Sequence, residues 1–230
     1  MSIAEKLTTI AENEQRVYNA GMSKAERDFW DGFTNKNQRE IYNKAFTQSG
    51  FSYIRPPYAI KPKNNQSLAI TFSNSEKLIK VESAAFDFST MELYTGTAEH
   101  YGAYWTFEGC FALEEVEDIG LPAVNSYTAT FANCKKLHTI AIVRSAQNTV
   151  FADNAFKNCP LLENISFDGV IASAINLSWS PLLTHDSLMS VINHLATVST
   201  TKTLTIGTTN LAKLTDAEKA IATQKGWTLA

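Results

Sequence analysis

A ten-residue pattern occurs four times in this 230-residue chain and limits what the chain can fold into. Each copy starts with Phe, has Asn or Gly third and Cys or Ser fourth, then Leu seventh, and ends in Val or Ile. The copies cover residues 72–81, 107–116, 131–140 and 156–165, and the last three begin 24 and 25 residues apart. This regular spacing predicts stacked repeats, each of which packs mainly on its two neighbours.

The shared positions predict one structural unit per copy. Residues three apart lie on one face of a short helix, and the apolar alternation that follows suits a strand in a parallel ladder. We therefore expect Ile140 and Ile142, and Ile165 and Phe167, to point inward. The three cysteines are interpreted as buried packing residues, with Ser75 filling a similar volume in the first copy. The predicted repeat framework is Phe107, Cys110, Leu113, Phe131, Cys134, Leu137, Phe156, Cys159 and Leu162.

Composition changes along the chain predict four parts. Residues 1–50 are predicted to form a helical assembly or anchoring segment. Residues 51–66 are predicted to form a connector, because its three prolines remove backbone donors and force extended geometry on the residues before them. Residues 67–180 hold the repeats, and 181–230 form a C-terminal α/β cap over the exposed end of the repeat core. The expected fold class is therefore α/β (α+β).

Two capping boxes mark helix starts in the N-terminal part. Ser2 with Glu5, and Ser23 with Glu26, fit the pattern in which a hydroxyl and a carboxylate satisfy backbone groups reciprocally. The apolar stripe of the first helix could dock on the body of the protein or form a coiled-coil seam between copies. A homo-oligomer through these helices is expected. The predicted assembly residues are Ile3, Leu7, Ile10, Val17, Phe29, Trp30 and Phe33.

The C-terminal part reads as helix, strand, helix, strand. Thr184 or Asp186 could cap a helix that buries Leu188, Val191, Ile192 and Leu195. Residues 202–207 and the final GWTL read as strands, and Thr215 with Glu218 forms a further capping box. The repeat pattern is expected to stop after Trp179 and Pro181.

Surface recognition is the predicted activity of the repeats, because residues that alternate with buried ones point outward. Aromatic residues are crowded between positions 86 and 105, where they could anchor a partner or fill a core. Asn133 and Asn158 are interpreted as capping each turn rather than as marking a binding edge. The predicted partner-binding residues are Tyr94, Tyr101, Tyr104, Trp105, Glu115, Glu117, Thr139, Ala141, Asn164 and Ser166.

Composition and motif content argue against other functions. A formal net charge of −3 disfavours nucleic acid and anionic membranes as partners. The N-terminus lacks the apolar stretch of a signal peptide, so secretion by that route is not expected. No two histidines pair at ligand spacing, and nucleophile-elbow and phosphate-loop motifs are absent. We therefore expect neither catalysis, nor a cofactor, nor a bound metal.

The pattern F-x-x-C-x-x-L-x-x-I-x-I resembles the BspA-like class of leucine-rich repeat proteins. The segments "FDGVIASAINLSWSPLLTHDSLMSVINHLA" and "MSIAEKLTTIAENEQRVYNAG" also resemble parts of repeat proteins found in phages and prophages of Firmicutes. This resemblance implies a short leucine-rich repeat solenoid and a non-catalytic structural or protein-binding role in a phage particle. Its expected partners are other virion proteins or a host surface, and its expected location is the virion after synthesis in the host cytoplasm. The alternative is an intracellular phage- or prophage-encoded module that captures a host protein.

Overall fold

The structure is a computed structural model that describes residues 53–54, 72–83, 88, 102–152 and 154–230. These residues contain eight strands and three helices. The strands are β1 (Tyr53–Ile54), β2 (Lys80–Val81), β3 (Glu115–Val116), β4 (Thr139–Ser145), β5 (Asn164–Gly169), β6 (Ile175–Asn176), β7 (Lys202–Thr205) and β8 (Trp227–Leu229). The helices are α1 (His185–His194), α2 (Gly207–Leu211) and α3 (Asp216–Gln224).

Two parallel sheets organise these elements. The first sheet contains β1 to β5 in chain order, and the second contains β6 to β8. Every strand pair in both sheets is parallel. The expectation of an α/β fold with a parallel strand ladder is therefore confirmed for the described residues.

The first strand of the larger sheet lies inside the segment that its prolines predict to be a connector. Tyr53 pairs with Lys80 and Ile54 with Val81, in the same parallel register that links the later strands. Residues 53–54 thus extend the ladder by one strand ahead of the first copy of the repeat pattern.

The prediction of a short helix in each repeat is wrong, because two successive turns occupy these residues. In the second copy the Cys110 N–H donates to the Phe107 carbonyl at 3.2 Å, and the Leu113 N–H donates to the Cys110 carbonyl at 3.1 Å. The third residue of each copy is left-handed, with φ of 71° at Gly109, 64° at Asn133 and similar values in the other copies. A left-handed residue cannot continue a right-handed helix, so Asn or Gly here selects turns.

Aromatic rings stack along the interior from one repeat to the next. The rings of Phe72 and Phe107 have centroids 5.4 Å apart, those of Phe107 and Phe131 5.5 Å, and those of Phe131 and Phe156 5.7 Å. Each pair is close to parallel. One buried apolar cluster continues from Phe72 to Trp227, so the repeats and the C-terminal elements share a core.

A bulge in β4 shifts the expected inward pattern. Ile140 lies opposite Ile165, but Phe167 lies opposite Val143 because β4 has one extra residue between these pairs. Val143 is therefore buried and Ile142 is only partly buried. The prediction that Ile142 points inward is wrong for this reason.

The repeat continues further than its sequence pattern indicates. At residues 177–183 the Ser180 N–H donates to the Leu177 carbonyl at 3.0 Å and the Leu183 N–H to the Ser180 carbonyl at 3.4 Å, as in the earlier turns. Leu177, Ser180 and Leu183 are fully buried and replace the Phe, Cys and Leu of the pattern. This copy contains Trp179 and Pro181, so the repeat ends at Leu183, two residues beyond the expected stop.

Helix α1 follows this last copy and covers the outer edge of β5. Thr184 caps α1 by accepting a hydrogen bond from the Ser187 N–H. On the facing side, the hydroxyl of Ser187 accepts from the Ile165 N–H at 3.0 Å, and that of Ser190 accepts from the Phe167 N–H at 2.8 Å. Two serines thus supply acceptors that a further strand would otherwise provide.

The remaining C-terminal elements agree with their local sequence signals. Thr215 and Glu218 form the expected capping box at the start of α3. Strands β7 and β8 lie where 202–207 and the final residues predict them. The short helix α2 and strand β6 have no counterpart in the sequence predictions.

Candidate interaction surface

The outward face of the five-stranded sheet has one side chain from each of four described repeats in a continuous row. Lys80, Glu115, Thr139 and Asn164 are Cα partners across β2, β3, β4 and β5. Neighbouring parallel strands are about 4.8 Å apart, so this row extends for about 14 Å. The four side chains are exposed or partly exposed, while the next residue of each strand is buried.

A salt-bridge network occupies the first half of this face. Lys80 Nζ lies 2.9 Å from Glu115 Oε2 and also binds Glu117 Oε1. Glu117 Oε2 accepts from the backbone N–H and the hydroxyl of Ser83, both at 2.8 Å. Hydrogen bonds lower the pKa of Glu117 to about 2, with the largest single effect from Lys80 and smaller ones from Ser83. Glu117 therefore remains a carboxylate, which suits an electrostatic contact better than proton donation.

A second ion pair borders the same face at the ends of the longer strands. Arg144 makes two hydrogen bonds of 2.8 Å to Asp118, and its Nε lies 3.7 Å from Asp168. The Arg144 hydrogen bonds hold the pKa of Asp118 below its usual value. This arrangement connects β4 with the segment after β3 and with β5.

The second half of the face is uncharged. Thr139 and Ala141 of β4 are partly exposed, and Asn164 and Ser166 of β5 are exposed. The sheet therefore presents a charged half beside a half of small, neutral side chains. Its geometry suits recognition of a protein surface, because the side chains are fixed by the strand register.

Two of the four predicted aromatic residues belong to the described part of the chain. Tyr104 and Trp105 stack with ring centroids 5.0 Å apart and an interplanar angle of 10°. Trp105 is 40% exposed and has a φ of 52°, a conformation that is uncommon for a bulky residue. These rings lie in the turn-rich segment before Phe107, outside the strand face.

Several predicted site residues lie outside the described residues. Among the partner-binding residues these are Tyr94 and Tyr101. All the predicted assembly residues also lie outside, namely Ile3, Leu7, Ile10, Val17, Phe29, Trp30 and Phe33.

The predicted framework residues meet in the interior. All nine are buried, and each cysteine thiol donates to the carbonyl of the preceding copy's Phe, at 3.1 Å from Cys110, 3.1 Å from Cys134 and 3.0 Å from Cys159. Burial raises the pKa of all three thiols, to about 12 at Cys159. Such thiols are unreactive in the folded protein.

The asparagines at the third position form a polar ladder. Asn158 Nδ2 donates to Asn133 Oδ1 at 2.8 Å, and Asn133 Nδ2 donates to Glu108 Oε1 at 3.2 Å. Glu108 Oε2 also accepts from the Ser73 hydroxyl at 3.2 Å. The ladder joins successive turns, so these side chains link repeats in addition to supporting their own turn.

The basic residues of the sheet face, Lys80 and Arg144, are not among the predicted partner-binding residues. Lys80 occupies the ninth position of the first copy, as Glu115, Thr139 and Asn164 do in the later copies, and this shared position is the sequence signal that identifies it. Arg144 gives no such signal, because its position next to Asp168 depends on the bulge in β4.

No protein-family model, curated protein or solved structure matches this chain. Within the described ranges, no group of three His, Cys, Asp or Glu side chains is arranged to hold a metal ion. Among the helices of the described part of the chain, none is long and apolar enough to cross a bilayer.

Proposed function

We propose that this chain is a non-catalytic structural or protein-binding component of a phage particle, associated with its tail, baseplate or head. It is a short leucine-rich repeat solenoid of the BspA-like class that presents its sheet face to another virion protein or to the host surface. It forms a homo-oligomer through its N-terminal helices and needs no cofactor, nucleic acid or membrane.

Several contacts support the solenoid. The strands follow chain order, and equivalent Phe rings stack at 5.4 to 5.7 Å. Equivalent thiols also bind equivalent carbonyls. Each repeat therefore uses the same contacts to its neighbour, as expected for a leucine-rich repeat array.

The observation that carries the binding role is the in-register row of Lys80, Glu115, Thr139 and Asn164. Side chains in such a row are positioned before a partner arrives, so less conformational entropy is lost on binding. The assignment to a phage particle is supported by the resemblance of both ends of the sequence to phage and prophage proteins.

Purified phage particles provide the direct test. Mass spectrometry of particles from the phage or prophage that encodes the chain should detect it at a fixed ratio to known virion proteins. Its absence from particles, together with its presence in the host cell bound to one host protein, would contradict the virion role and favour the intracellular alternative.

Substitutions on the sheet face test the binding role. Particles that lack the protein should take up the purified wild-type chain, but not the Asn164→Arg, Ser166→Arg variant, because two added cations would disturb the neutral half of the face. Thr203→Arg is the matched control, since Thr203 is an exposed residue on the other sheet. Equal uptake of all three proteins would exclude the neutral half of the face as the binding surface.

A further inference from the structure

One edge of the repeat array combines exposed apolar side chains with lysines. It is formed by the fifth and sixth positions of successive copies, and we call it the turn edge: residues 111–112, 135–136, 160–161 and 181–182. Backbone hydrogen bonds between successive copies, two residues after the turn edge, keep the copies in register. The His138 N–H donates to Glu114 at 2.9 Å, the Glu163 N–H to His138 at 3.0 Å, and the Thr184 N–H to Glu163 at 2.9 Å.

The last copy makes this edge apolar. Leu182 is 46% exposed, and Trp179, three residues earlier in the same copy, is 44% exposed. Trp179 occupies the position at which earlier copies have Gly109, Asn133 and Asn158. The turn does not require a large side chain there, and exposing an indole ring gives the isolated chain no stability. An exposed Trp beside Leu is a typical anchor of a protein interface.

Exposed lysines lie on the two copies that precede this apolar end. Lys135 and Lys136 lie on the turn edge two copies before Leu182, and Lys157 belongs to the copy between them; all three are exposed. Lys135 Nζ lies 5.3 Å from the ring centre of Phe111, so a cation and an apolar ring are in direct contact on this edge. A complementary occupant has aromatic or aliphatic side chains flanked by carboxylates.

The chain contains a segment of this composition. Residues 26–33, ERDFWDGF, contain Phe29, Trp30 and Phe33 together with three carboxylates and one cation, so the segment is net acidic: Glu26, Arg27, Asp28 and Asp31. Strand β1, the first described element after this segment, lies at the opposite end of the ladder from residues 177–183, about 24 Å away at 4.8 Å per strand. The residues between 33 and 53 could span that distance at about 3.3 Å each, so the choice of a second copy rests on the proposed homo-oligomer.

We infer that residues 26–33 of one copy dock on the turn edge of a second copy, with the aromatic rings on Trp179 and Leu182 and the carboxylates beside Lys135, Lys136 and Lys157. This inference rests on the proposed assembly through the N-terminal part and assigns the surface that receives it.

Size-exclusion chromatography with light scattering on the full-length chain tests the apolar contact. Wild-type protein should be oligomeric, and Trp179→Ser with Leu182→Ser should weaken self-association about 30-fold or more. Val150→Ser with Val170→Ser is the matched control, because these valines are 42% and 37% exposed elsewhere on the surface. The control variant should assemble like the wild type.

A charge exchange tests the identity of the occupant. Lys136→Glu with Lys157→Glu should weaken assembly, as should Asp28→Lys with Asp31→Lys, and the two sets mixed as separate proteins should associate again. Recovery in the mixture excludes misfolding as the cause of the losses. It also shows that the contact joins different copies.

The outcomes separate this inference from the proposed function. A monomeric wild type would overturn both the docking and the proposed assembly. An oligomer that is insensitive to the Trp179, Leu182 and lysine substitutions would overturn the docking alone. Carbodiimide cross-links between Lys136 and Asp28 or Asp31 that join only residues of one copy, in a mixture of isotopically labelled and unlabelled protein, would also overturn it.

Discussion

The thiol of Cys134 donates a hydrogen bond to the carbonyl oxygen of Phe107, 3.1 Å away in the preceding repeat. Both residues are buried. The thiol therefore has two roles: it is small enough to allow close approach of the two turns, and it gives the Phe107 carbonyl a second donor beside the Cys110 N–H.

Replacing this thiol separates its two roles. Cys134→Ala should lower the free energy of unfolding by about 1 to 3 kcal/mol, because a small cavity forms and the buried Phe107 carbonyl keeps only one of its two donors. Cys134→Ser should lose less, since its hydroxyl can still donate. Urea denaturation measures both values. A serine variant less stable than the alanine variant would show that the apolar character of sulfur matters more than the hydrogen bond.

The native thiols should resist modification. Because burial raises the pKa of all three thiols, to about 12 at Cys159, the thiolate is scarce at pH 8. An aromatic disulfide reagent should therefore label all three cysteines only as fast as the protein unfolds. Rapid labelling of one thiol in the folded protein would contradict its burial.

The salt bridges of Lys80 with Glu115 and Glu117 should make the free energy of unfolding depend on pH in the acid range. The pKa of Glu117 is lowered from 4.5 to about 2 in the folded state, so the unfolded chain binds the proton more tightly. Stability from this group is fully present above pH 4.5 and is lost as the pH falls to 2. Because the side chains are partly exposed, we expect a loss of about 1 kcal/mol. Glu117→Gln should remove that part of the pH dependence measured by urea denaturation.

Two left-handed glycines should respond differently to alanine. Gly169 and Gly120 have φ of 87° and 70°, but an added Cβ at Gly169 would lie 2.0 Å from the Ser145 carbonyl oxygen, while at Gly120 it meets nothing within 4 Å. Gly120→Ala should lower the free energy of unfolding by about 1 to 2 kcal/mol, from backbone strain alone. Gly169→Ala should lower the free energy of unfolding by more, because the backbone of β4 must also move. Equal costs in thermal or urea unfolding would contradict this packing.

Removing the serine acceptors of α1 should destabilise the end of the ladder. In the Ser187→Ala, Ser190→Ala variant, the Ile165 and Phe167 N–H groups lose their partners. We expect the free energy of unfolding to fall by about 2 to 4 kcal/mol. Each unsatisfied N–H group costs about 1 to 3 kcal/mol, and water compensates part of the total. Ser199→Ala, at an exposed position, is the control and should change stability little. Urea denaturation compares the variants, and a double variant as stable as the control would contradict the role of the serines.

Local signals predicted the C-terminal elements well because their determinants are close in sequence. The Thr215 and Glu218 capping box and the Thr184 cap each involve residues three apart. The repeat turns were harder to predict, since a spacing of three residues fits both a helix and two successive turns. The Asn or Gly at the third position was the signal that distinguishes them, through its left-handed conformation.

Features of the candidate surface that depend on pairing between distant strands were not predictable in the same way. The bulge that buries Val143 and places Arg144 beside Asp168 comes from the match between β4 and β5. The sequence of either strand alone contains no sign of the extra residue. The copy at 177–183 also lacks the Phe and Cys of the pattern, so only its turns and its burial identify it.

The serines on α1 determine where the ladder ends. A parallel array of this kind grows in steps of one strand, and any chain with an open edge and matching spacing could add the next step. The hydroxyls of Ser187 and Ser190 accept hydrogen bonds from the N–H groups at that edge. Helix α1, and not the number of repeats, therefore sets where the sheet ends on this side. Lengthening the array by gene duplication would therefore require new copies to be inserted before residue 177, leaving this terminator in place.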